Sequence, residues 1–94
     1  MSFEDFVRSE IVPAKLGPAL RALWLDAQGK WDEAHSLAQE AAGRDGAWVH
    51  AYLHRKEGDE RNAGYWYTRA GKPAATGSLA QEWEAIVRAL LVRS

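Results

Sequence analysis

The sequence predicts an all-α protein of one domain, and three observations carry that reading. Apolar residues recur at helical spacing along most of the chain, from Leu16, Leu20, Leu23 and Trp24 to Trp83, Ile86, Val87, Leu90 and Leu91. Every Pro, and every Gly except Gly64, falls at the end of such a run rather than inside it. No segment alternates with the period of two that a half-buried strand requires. At 94 residues with a 47% hydrophobic share, the chain is sized for a single domain over residues 1–94 and is too apolar for disorder.

The elements follow in order. Ser2 with Asp5 caps a short first helix carrying Phe3, Phe6 and Val7, ended by Pro13. Gly17-Pro18 opens the second, because proline lacks an N–H at a position where it would be unpaired. It carries two apolar stripes and reaches about Gln28, so it is expected between neighbours on both sides. The third spans about Trp31 to Ala42 and turns Trp31, Ala34, Leu37, Ala38 and Ala41 inward. Gly43 reads as its C-terminal cap and Asp45 as the N-cap of a fourth helix, Gly46 to Glu57. Gly58-Asp59 repeats that stop-and-start signal before a fifth, Glu60 to Ala70, which Gly71 and Pro73 end. After a loop, Ser78-x-x-Gln81 is a capping box for the last helix. Leu20, Trp24, Leu37, Leu53, Trp66, Tyr67, Trp83 and Leu90 are the expected core.

Composition excludes several functions. A net charge of −1 gives no basic field for phosphate backbones, so nucleic-acid binding is not expected. There is no cysteine, hence no disulfide and no thiol chemistry. No run approaches the roughly 20 apolar residues of a membrane span. The acidic, charge-interrupted start MSFEDFVRSEIVP is unlike a signal peptide, and a cytoplasmic location is expected. No serine sits in a nucleophile motif, no Gly-rich phosphate loop is present, and acidic pairs such as Asp32-Glu33 stand at helix starts, where they complement the dipole. Catalysis therefore has little support, and no cofactor is expected. Glu57 with Arg61 and Glu84 with Arg88 read as surface ion pairs.

The middle of the chain repeats. GKWDEAHSLAQEA from Gly29 and GDERNAGYWYTRA from Gly58 align at an offset of 29, superposing Ala34 on Ala63 and Ala41 on Ala70. Gly-x4-Ala-x6-Ala resembles the turn and second helix of a tetratricopeptide repeat, and NAGYWYTRAG is similar to the cousin repeat whose second helix reads A-x-x-W-Y-x-K-A. The resemblance covers about Pro18 to Pro73, with a shorter offset than the family's roughly 34 residues. It implies two helix–turn–helix units, flanked by a short N-terminal and an amphipathic C-terminal helix. It also implies a protein-interaction role.

The candidate site lies in HAYLHRKEGDERNAGYWYTRAG, from His50 to Gly71. Trp48, Tyr52 and Arg55 share a stripe at i, i+4, i+7, which the resemblance places on the ligand-facing side. Trp, Tyr and Arg are the residues most enriched in binding hot spots. The same stripe is also what an aromatic core face would show, with Arg55 reaching outward. His50, His54 and Glu57 share a second face. His-x3-His with a carboxylate beyond is a usable metal spacing, without the His-Glu-x-x-His base pattern and without an evident fourth ligand, since His35 lies in the preceding unit. The resemblance puts His50 and His54 where the family packs apolar side chains. They are therefore expected to be partly buried and paired with Asn62, Tyr65, Tyr67 or Glu57. The leading expectation is a protein- or peptide-binding module, with self-association open. The alternative is a small-molecule- or metal-binding protein using the His50/His54 cluster, with an enzymatic role left open, and a bare stability role within an assembly is a third.

Overall fold

The structure is a computed structural model that describes residues 1–93. It contains α1 (Phe3–Arg8), α2 (Pro18–Ala27), α3 (Trp31–Glu40), α4 (Gly43–Lys56), α5 (Glu60–Ala70) and α6 (Leu79–Arg93), with no strand among the described residues. The all-α reading holds. None of the helices is long and apolar enough to cross a membrane.

Capping follows the sequence closely. Ser2 Oγ accepts the Asp5 N–H at 3.1 Å. Ser78 and Gln81 close the full reciprocal box, at 3.0 and 2.9 Å. Asp59 caps α5 through the Asn62 N–H at 3.2 Å. The turns after α2 and α4 are built alike. Gly29 and Gly58 take left-handed φ of 79° and 88°. Lys30 N–H donates to the Leu25 carbonyl and Asp59 N–H to the His54 carbonyl, the six-to-one bond of a Schellman turn. These paired bonds stand 29 residues apart.

The α3–α4 junction differs from expectation. α3 stops at Glu40 and α4 begins at Gly43, so Asp45 lies inside the first turn and ion-pairs with Arg93 instead of capping. Gly43 does take a left-handed φ, 78°, but as the first residue of α4. The reason is close approach. A Cβ on Gly46 would lie on the Ala41 carbonyl oxygen and 2.7 Å from its carbon. Only glycine lets the chain turn within Ala41 and Ala42. Gly46→Ala should therefore lower stability by about 1–3 kcal/mol, the usual cost of overpacking. An unchanged thermal midpoint would show that the junction can relax.

α4 is the central helix, packed on α2, α3, α5 and α6. Its buried residues, Ala47, Val49, His50, Ala51, Tyr52 and Leu53 among them, therefore point in every direction. The main core joins Phe6, Leu20, Leu23, Trp24, Val49, Leu53, Ile86, Val87 and Leu90. A second, smaller one sits between α4 and α5, where Ala51 and Ala63 let the helices close on Tyr67. Leu37, Trp66 and Trp83, expected in the core, are only partly buried and pack at its edge. For Trp83 the polar edge matters: its indole N–H donates to the Leu23 carbonyl at 2.9 Å. Trp24 and Trp31 do the same to the carbonyls of Ser9 and Leu53, at 3.2 and 3.0 Å.

Candidate functional site

The packing of α3 on α4 brings three imidazoles together. His50 and His54, one turn apart, face α3, and His35 on α3 meets them. His35 Nε2 and His50 Nε2 are 2.9 Å apart, so one carries a proton and the other accepts it. One ring nitrogen from each histidine can be chosen so that all three lie within 4.8 Å of one another. Trp31 stacks on His35 at 4.8 Å between ring centres and Trp66 on His50 at 3.9 Å. The cluster is thus clamped between two indoles. His54 Nδ1 bonds Glu57 Oε1 at 2.6 Å, which turns Glu57 away from the expected pairing with Arg61. The other expected surface pair, Glu84 with Arg88, forms at 2.8 Å.

Burial sets the chemistry of these rings. His50 is buried, and loss of hydration, then the neighbouring His35 and His54, lower its pKa to about 4. His35 is lowered too, chiefly by burial and then by His54, against the opposing pull of Glu57 and Asp32. Both are neutral at neutral pH and offer lone pairs.

The expected partners of the histidines lie elsewhere. Asn62 bonds Asp59, and Tyr65 is 54% exposed and accepts from Arg69. Tyr67 is buried but donates to Glu82 Oε2 at 2.5 Å, toward α6. The expected hydrogen bonds from His50 and His54 to Asn62, Tyr65 or Tyr67 do not form. Of the four named candidates, only Glu57 bonds the cluster.

The Trp48, Tyr52 and Arg55 stripe is largely committed inside the fold. Tyr52 is buried and donates to Asp26 Oδ2 at 2.8 Å, and Lys56 Nζ reaches Asp26 Oδ1 at 2.9 Å. Burial and the Asp26 bond raise the Tyr52 pKa, and burial with Glu82 raises that of Tyr67. Arg55 donates to Glu82 Oε1 at 3.0 Å and to the Gly77 carbonyl, so it is not the outward-reaching side chain expected. Trp48 is partly buried, with Lys72 Nζ 4.3 Å from its ring centre. Sequence reasoning missed Asp26, Glu82 and the role of His35. Signals existed: Asp26 interrupts an apolar helix, Glu82 lies on the apolar stripe of α6, and His35 follows Trp31 by one turn.

Two clefts adjoin these layers. One of about 410 Å³ lies between the α3–α4 junction and α5, walled by Gly43, Arg44, Ala47, His50, Trp66 and Arg69 among others. Its charged side chains are both arginines, and no carboxylate lines it. Arg69 lies over Trp66, 5.4 Å from its ring centre. The second, about 520 Å³ and mostly apolar, runs beside α1 along Phe3, Val7, Leu79 and Trp83.

Fold and site together define an all-α protein with a three-histidine layer between its third and fourth helices. Comparison with family models, curated proteins and solved structures gives no match for this chain.

Proposed function

We propose that this chain is a small-molecule-binding helical module whose ligand carries an anionic group seated in the cleft beside His50. One observation carries the reading. The cleft is walled by two arginines, an indole and a neutral imidazole, with no carboxylate, in a chain whose net charge is −1. Arg44 has no carboxylate partner among the described residues, and Arg69 is held in place by Tyr65 and Trp66. Guanidinium groups suit the planar or tetrahedral oxygens of a carboxylate or a phosphate. In the stripe expected to face a protein partner, Tyr52 and Arg55 are bonded internally.

The test is chemical-shift mapping of the metal-free protein with inorganic phosphate in one series and succinate in another. Saturable shifts are expected at the Gly43 to Ala47 amides and the Trp66 indole, and the tighter series names the oxyanion. Each of Arg44→Gln and Arg69→Gln should weaken binding about 10-fold or more, because a hydrogen bond to a charged group contributes about 1.5–3 kcal/mol. Equal, unsaturated shifts in wild type and variants would sink the reading.

A second reading is a protein- or peptide-binding module, and the apolar groove beside α1 favours it. Val7 there is 51% exposed. The matched turns 29 residues apart support reading α2–α3 and α4–α5 as two tetratricopeptide-like units, a family of interaction scaffolds.

A further inference from the structure

We propose that His35, His50 and His54 together bind one divalent transition-metal ion through three imidazole nitrogens. Several features of the layer lead there. Two ligands come from successive turns of one helix and the third from the helix facing it, so three rings converge without a flexible loop. A tetrahedral ion with metal–nitrogen bonds of about 2.0–2.1 Å needs its nitrogens about 3.3 Å apart. The separations here, 2.9 Å for one pair and all within 4.8 Å, bracket that value. Small rotations of the rings close the difference.

The surroundings are those of a held ligand set. The carboxylate of Glu57 holds His54 through Nδ1, so Nε2 is the nitrogen left free to ligate. A carboxylate behind a histidine is the usual outer support of a metal ligand, since it sets both tautomer and ring orientation. The stacks of Trp31 on His35 and Trp66 on His50 restrain the other two rings.

A structural network explains the cluster less well. Buried polar groups are ordinarily satisfied by carbonyls, hydroxyls or water. Here the tyrosine and asparagine within reach along the sequence bond elsewhere, and three imidazoles are left facing one another with ring centres 4.7–5.1 Å apart. So placed, the three rings share one hydrogen bond between them. A metal ion satisfies all three at once.

The donor set indicates the ion's class. Three nitrogens and no thiolate favour zinc and its neighbours over magnesium or calcium, which prefer oxygen. Three protein ligands also leave one position of a tetrahedral ion for water or a substrate atom. His50 belongs to both the layer and the cleft wall, so a bound ion stands next to the proposed anion site.

The experiment uses the untagged full chain, stripped with chelator and dialysed. Zinc titration by calorimetry should give one ion per chain. Cobalt should give the strong visible absorption of a four-coordinate site, which magnesium cannot displace. His35→Phe keeps a ring against Trp31 and should still fold by circular dichroism. It should weaken zinc by more than the roughly 100-fold ceiling for losing an outer partner, whereas Glu57→Gln should cost about 10- to 100-fold. Zinc binding that His35→Phe leaves unchanged, or no saturable zinc uptake by the folded wild type, overturns the proposal. Anion binding is read in metal-free protein with Arg44 and Arg69 variants, so either proposal can fail alone.

Discussion

Replacing Glu82 with alanine is expected to lower the unfolding free energy by about 3–5 kcal/mol, the range for breaking a buried ion pair from one side. Glu82 is 7% exposed and accepts from two side chains, Arg55 and Tyr67. Its removal leaves the buried Tyr67 hydroxyl without its acceptor and a guanidinium facing a gap. The Arg55 side chain keeps 21% exposure and its bond to the Gly77 carbonyl, which places the effect toward the lower end. For a domain whose whole stability is about 5–15 kcal/mol, urea unfolding at neutral pH resolves this easily. Adding Tyr67→Phe to Glu82→Ala should cost less than the sum of the two single changes, because they share one bond. A loss under about 1 kcal/mol for Glu82→Ala would mean that water satisfies the network as well as the carboxylate does.

Acid is expected to weaken the metal-free protein well before its carboxylates protonate. His50 binds a proton near pH 4 in the folded chain but near the reference value of 6.5 when unfolded. Between those values the unfolded state holds more protons, so stability falls as pH falls. The contribution is intact above about pH 6.5, and from pH 7 to 5 the loss from His50 alone is about 2 kcal/mol. His35, lowered in the same direction, adds to it. Urea midpoints at the two pH values, compared with those of His50→Gln, isolate the effect. A wild type and variant with the same slope would place His50 in contact with solvent.

Much of this architecture could be read from the chain because its determinants are local. Ser78 and Gln81 are three residues apart, and Gly29 and Gly58 sit where the backbone must turn left-handed. That His50 and His54 share a face follows from their spacing alone. What they face does not. His35 joins them only through the packing of α3 on α4, and Tyr67 leaves them because α6 offers a carboxylate on its other side. The same applies to Arg55, whose acceptor is 27 positions away in Glu82. The α3–α4 boundary is not legible in the sequence, because Gly43 and Gly46 suit either a cap or a close approach. Only the Ala41 carbonyl decides between them.

The three indole bonds give the molecule its own optical probes. Trp24 anchors the segment after α1 to α2, Trp31 ties α3 to the end of α4, and Trp83 joins α6 to α2. Each of these three junctions therefore carries a chromophore whose emission depends on whether its N–H meets a carbonyl or water. Variants retaining one of these indoles at a time, with Trp48 and Trp66 also replaced, would turn a single fluorescence melt into three, each following the undocking of a different part of the fold.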